Sequence, residues 1–121
     1  MHGGFQSALI DIDRATEFTG DDVDRYSELV DLGQVFSIVT VEIPTIDSAS
    51  IYIYVQKDKY KSGVPIPVHY MKSDDTTAVL ANTAGTGGNS ITLLIGGYQF
   101  IRIYTTANQT ADRTFYVRGV A

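Results

Sequence analysis

From residue 34 onward the chain alternates apolar and polar positions with a period of two, the period of a β-strand. Over 34–43, Val35, Ser37, Val39, Val41 and Ile43 share one face, with Phe36, Ile38, Thr40 and Glu42 opposite. Pro44 and the Asp47-Ser48 pair predict a turn after this run. Residues 50–57 alternate Ile51, Ile53 and Val55 with Tyr52, Tyr54 and Gln56, a β-branched and aromatic composition that favours strands. The polar run 57–63 predicts a hairpin tip. Residues 64–72 predict a weaker strand at a sheet edge, because Pro65 and Pro67 cannot donate to a ladder. Asp74-Asp75 marks a turn, and 76–81 a short strand. Gly85, Gly87 and Gly88 predict a flexible surface loop over 83–89. Residues 90–95 and 98–106 predict two strands joined by a tight Gly96-Gly97 turn, and 113–120 the last strand.

Short strands at spacings of roughly 8–15 residues point to an all-β fold. We expect an antiparallel β-sandwich or jelly roll of about seven or eight strands. Val39, Val41, Ile51, Ile53, Ile101, Ile103, Phe115 and Val117 share faces in the four most strand-like runs and form the expected core. The first 33 residues differ in character. Residues 5–12 have the pattern of a strand, Thr19-Gly20-Asp21-Asp22 that of a turn, and 24–32 that of a helical turn or an extended arm. The expected organisation is an acidic N-terminal arm over 1–25 and one β domain over 26–121. The whole chain, 121 residues and 13.2 kDa, is the size of a single domain.

Charge sharpens this division. The net charge is −5, but residues 1–42 carry nine acids against Arg14 and Arg25, while the remainder carries five acids and seven bases. An acidic chain lacks the basic field that phosphate binding needs, so no nucleic-acid partner is expected. The asymmetry suits a head-to-tail contact between copies, or simply a solvated acidic loop. No apolar run reaches the 18–20 residues of a membrane helix, so no membrane partner is expected. The opening Met1-His2-Gly3-Gly4 has neither a basic region nor an apolar core, so no secretory signal is expected.

The residues that carry chemistry are sparse. There are no cysteines and two histidines, His2 and His69. No serine sits in a Gly-x-Ser-x-Gly elbow, and the carboxylates form no pair that would specify a glycosidase. Asp11-x-Asp13 and Asp21-Asp22-x-Asp24 offer hard oxygen ligands without the spacing of an EF-hand, and short acids also cap turns. The glycine-rich 83–89 run is followed by no Lys-Ser/Thr, so it is no phosphate loop. We expect neither an enzyme nor a cofactor. The aromatic residues say more. Tyr52, Tyr54, Arg102, Tyr104, Tyr116 and Arg118 all lie opposite the isoleucine and valine faces of their strands. Tyrosine and arginine are enriched at protein interfaces, and tyrosine also stacks on sugars. The same residues would equally line the inside of an aromatic sandwich, but arginine is rarely buried without a partner, which favours an outward face.

Asp31-Leu32-Gly33, Ile43-Pro44-Thr45-Ile46-Asp47-Ser48 and Ile51-Tyr52-Ile53-Tyr54-Val55 resemble a group of small proteins of tailed bacteriophages. So do Gly96-Gly97-Tyr98-Gln99-Phe100-Ile101-Arg102 and the run from Asn108 to Gly119. The similarity covers roughly residues 28–120 and contains no catalytic signature. It implies a small β-sandwich virion structural protein of the capsid decoration, or cement, type. Such a protein is assembled in the host cytoplasm, bound to the major capsid protein or another virion protein and to its own copies. The alternative is a carbohydrate-binding β-sandwich that uses its surface tyrosines.

Overall fold

The computed structural model describes residues 3–12, 25–59, 66–71, 77–79 and 81–120. Among these residues all regular structure is β: β1 (Gln6–Ile10), β2 (Val30–Gln56), β3 (Ile66–Pro67), β4 (His69–Met71), β5 (Thr77–Val79), β6 (Ala81–Thr105) and β7 (Arg113–Val120). Five strands form one antiparallel sheet. In it β1 pairs with β7, β7 with β2, and β2 with both β3 and β6. β4 and β5 pair with each other in a separate two-stranded sheet.

Two of the predicted turns are bends inside long strands. Around Asp47-Ser48, Thr45 faces Gly87 and Ala49 faces Gly85, so three residues of β2 oppose one of β6. A bulge of this kind turns a strand without ending it. The glycines expected to form a loop over 83–89 supply the backbone this bend requires. Gly87 has φ +82°, and a Cβ there would collide with the carbonyl oxygen of Pro44. The Gly96-Gly97 pair, also at positive φ, bends β6 in the same way. After this second bend β6 passes between the two ends of β2. Ile101 faces both Val30 and Val55, and Phe100 faces both Asp31 and Gln56. The two long strands therefore wrap one interior.

That interior contains all eight expected core residues, each essentially inaccessible and in one cluster with Ala8, Ile10 and Ile95. Burying an aliphatic side chain of this size contributes about 1.5–3 kcal/mol, so this cluster is the main source of stability. The period-two phase holds over 39–43 and again over 49–55, and breaks at the intervening bulge and before Val39. A register shift between Phe36 and Ile38 leaves Val35 and Ser37 exposed and turns Phe36 inward. Phe36 then covers Gly119, where a Cβ would overlap its ring.

The boundary expected at 25/26 does not separate an arm from a domain. β1 pairs along its whole length with β7, from Gln6 opposite Val117 to Ile10 opposite Arg113. Ala8 and Ile10 are fully buried. Two buried side chains two residues apart need only complete a core made by other strands. Residues 13–24 lie outside the described residues.

Candidate interaction surfaces

The six residues expected to form one outward face fall into two groups. On the half of the sheet built from the end of β2 and the end of β6, Tyr54 pairs with Arg102 and Tyr52 with Tyr104. On the other half, Tyr116 and Arg118 of β7 pair with Glu42 and Thr40 of β2.

Arg102 corrects the sequence reading: it is fully buried and offers no surface. Its Nε donates to Gln56 Oε1 at 2.9 Å, and one terminal nitrogen donates to the Ser27 carbonyl at 3.1 Å. Residues 25–29, leading into β2, pair along the edge of β6 and bring that carbonyl over the strand. Ser27 N–H donates to Ile103 O, Thr105 N–H to Arg25 O, and the Ser27 hydroxyl accepts the Ile103 N–H at 2.8 Å. An arginine is accepted inside because its donors meet fixed oxygens.

The same segment gathers the tyrosines. Tyr26, nearly buried, packs edge-on against Tyr54 with ring centroids 5.1 Å apart, and at a tilt against Tyr104 at 4.8 Å. Tyr104 also meets Tyr52 and Tyr54. Arg25 donates to Tyr104 Oη at 3.3 Å and to Asn108 Oδ1 at 2.8 Å. Interplanar angles of 43–78° show rings packed on one another, not a flat platform. Tyr26 was not among the residues singled out from sequence, because it precedes any strand pattern.

Tyr116 and Arg118 are accessible. Tyr116 is 46% exposed, and Arg118 is half-buried, with Nε donating to the Gly3 carbonyl at 2.9 Å and its guanidinium 5.8 Å from the Phe5 ring centre. Both side chains reach the surface of the sheet.

A third surface had no sequence signal. β3 and the middle of β6 each pair with β2 but not with each other, and a cavity of about 390 Å³ opens between them. Ile66, Pro67 and Val68 form one lip, Leu94, Gly96 and Tyr98 the other, with buried Val55 and Ile95 between. The groove continues into a recess lined by Gln56 and Lys57. Leu94 is 60% exposed, Ile66 51%, and Val35, beside Gly97, 61%. Exposed apolar residues become informative when they gather around a concavity.

Two acids are tuned by local hydrogen bonds. Asp31 lies below its ordinary pKa because Gln99 Nε2 and then Gly33 N–H donate to it, both at 2.8 Å. Asp47 is lowered by the N–H of Thr110 at 2.7 Å and its hydroxyl at 2.9 Å, with Arg113 adding a weaker pull from 3.5 Å. These bonds, with Gln109 bridging to the Asp47 backbone, latch the bend of β2 to the β6–β7 connection. Among the described residues no three His, Asp or Glu gather as a metal site, and no helix is long and apolar enough to cross a membrane. The acids Asp13, Asp21, Asp22 and Asp24 lie outside the described residues.

No protein-family model matches the chain, and no curated protein matches it in sequence. Two solved structures align with the chain. The SPBc2 prophage-derived protein YomS aligns with a TM-score of 0.50 and 16% identity, over 97% of this chain and 95% of that one. The chitosan-binding module 1 of a chitosanase/glucanase from Paenibacillus sp. IK-5 aligns with a TM-score of 0.44 and 16% identity, over 97% and 96%. The chain thus shares its all-β, antiparallel architecture with a small phage-derived protein.

Proposed function

We propose that the protein is a non-enzymatic virion structural protein, most consistent with a capsid decoration or cement protein. In this reading the halves of β2 and β6 act as the two layers of a small β-sandwich. It binds a coat-protein shell and neighbouring copies, is assembled in the host cytoplasm, and requires no cofactor. The observation that carries the reading is the exposed apolar groove between β3 and β6, flanked by Leu94, Ile66 and Val35. A surface of this kind is stabilised when another protein covers it. Tyr116 and Arg118 offer a second contact on the β7 face. Interfaces of about 800 Å² per partner, repeated by symmetry, hold a lattice by multivalency. The likeness in fold to a prophage-derived protein is compatible with this setting. The test is co-sedimentation of the purified protein with emptied particles from the same phage source. Saturable binding at a fixed ratio to coat protein is expected; its absence, with properly folded protein, removes the reading.

The aromatic group favours one alternative. Three half-buried tyrosines beside Arg25 and Asn108 supply the residue types of a sugar site. Retention on a glycan array, lost in Tyr54→Ala, would establish the carbohydrate-binding reading in its place.

A further inference from the structure

The groove between β3 and β6 has two kinds of unmet chemistry. Its walls are apolar, and on one of them Leu94 ends a stretch of strand edge. From Gly87 to Leu94, β6 pairs with β2 on one side, and among the described residues no strand pairs with its other side. A ligand that supplies both backbone amides and apolar side chains is a polypeptide in extended form, added as a strand. Charge narrows the choice. Lys57 lines the recess at one end of the groove, Lys59 is exposed close by, and Asp58 between them already has a partner. The preferred occupant therefore carries carboxylates around an apolar anchor. This chain contains such a stretch: residues 13–24 hold Asp13, Glu17, Asp21, Asp22 and Asp24 around one aromatic residue, Phe18.

We propose that the groove receives residues 13–24 of a second copy, with Phe18 against Leu94 and Ile66 and the carboxylates against Lys57 and Lys59. This rests on the reading that the protein assembles with its own copies, and it names the contact. Groove and segment are different surfaces, so the contact is head-to-tail. It propagates until a rotation closes it into a ring, or continues as a filament.

The test is self-association of the full chain by analytical ultracentrifugation, from about 10 μM to 1 mM, the range in which a small interface is populated. Wild type should associate, and added salt should weaken it. Phe18→Ala and Leu94→Asp should each weaken association by roughly 30-fold, as loss of a buried aromatic anchor does. Mixed together, the two variants should recover wild-type affinity but stop at a dimer, because one retains only the groove and the other only the segment. Leu94 is exposed, so its replacement leaves the core intact. If Leu94→Asp nevertheless lowers the melting temperature, Lys57→Glu with Lys59→Glu provides the same readout and should weaken association comparably. A wild type that stays monomeric at about 1 mM, variants that associate like wild type, or a mixture that fails to recover would each overturn the proposal. Particle binding is measured in parallel. Binding to shells without self-association discards this contact alone, whereas loss of both discards the virion reading as well.

Discussion

Arg102 and Arg118 look alike in sequence: each follows an apolar residue in a strong strand and lies opposite the isoleucine or valine face. The structure places one inside and the other at the surface. The difference comes from what lies over each strand. Residues 25–29 return along β6 and place the Ser27 carbonyl on Arg102, with Tyr26 packed against Tyr54 and Tyr104 beside it. Over β7 near Arg118 the cover among the described residues is the short stretch at Gly3 and Phe5. Alternation states which residues share a face. It does not state whether a distant segment covers that face.

The comparison can be broken most directly at the arginines. Arg102→Ala should cost about 2–6 kcal/mol, about 1–3 for each of two buried acceptors, Gln56 Oε1 and the Ser27 carbonyl, that lose this donor. Arg118→Ala, which loses one partly exposed bond, should cost under about 1 kcal/mol. Urea denaturation of both variants measures this, and equal losses would refute the contrast. Ile101→Ala and Ile103→Ala, on the opposite face of the strand from Arg102, should each cost about 2–5 kcal/mol by the same measurement. If they do, both faces of β6 here are interior.

A smaller effect is expected where β7 is covered from the inside. Gly119→Ala must displace the Phe36 ring, and overpacking of this kind costs about 1–3 kcal/mol. A Phe36→Leu background should recover part of that loss.

The smallest effect is electrostatic. Asp31 and Asp47 bind protons less tightly folded than unfolded. The unfolded chain therefore takes up more protons as acid is added, and stability is lost as pH falls below about 4 through the folded values. Asp31 is exposed and Asp47 partly so, and solvent screening keeps the change slight. Asp47→Asn should flatten the pH dependence of the urea midpoint between about pH 5 and 2, with little change at pH 7.

Much of the fold was legible because burial here follows the strand period. The residues Val39, Val41, Ile51, Ile53, Ile101, Ile103, Phe115 and Val117 were found by alternation alone. Two things defeated that signal. Glycines mark places where the backbone leaves the ordinary region, but composition does not distinguish a loop from a bulge. Gly85, Gly87, Gly96 and Gly97 thus bend strands that looked like separate elements. The strand pattern of β1 was visible, but its place beside β7 depends on a contact more than 100 residues away in sequence. The candidate surfaces were less legible still. Leu94 is an unremarkable strand residue until β3 fails to pair with β6. The tyrosines gather around Tyr26, which no periodicity selects.

The pairing of β1 with β7 also sets how the molecule bears load. Gly3 N–H donates to the Gly119 carbonyl at 3.0 Å, so the edge strand β1 and its neighbour β7 meet at the same end of their ladder. Tension applied at Gly3 and Gly119 would open that ladder one hydrogen bond at a time, like a zip, at low force. Tension applied along β2 is shared at once by its pairing with β3, β6 and β7. The molecule therefore resists most when the pull enters through the long central strand, and least when it enters through β1 and the end of β7.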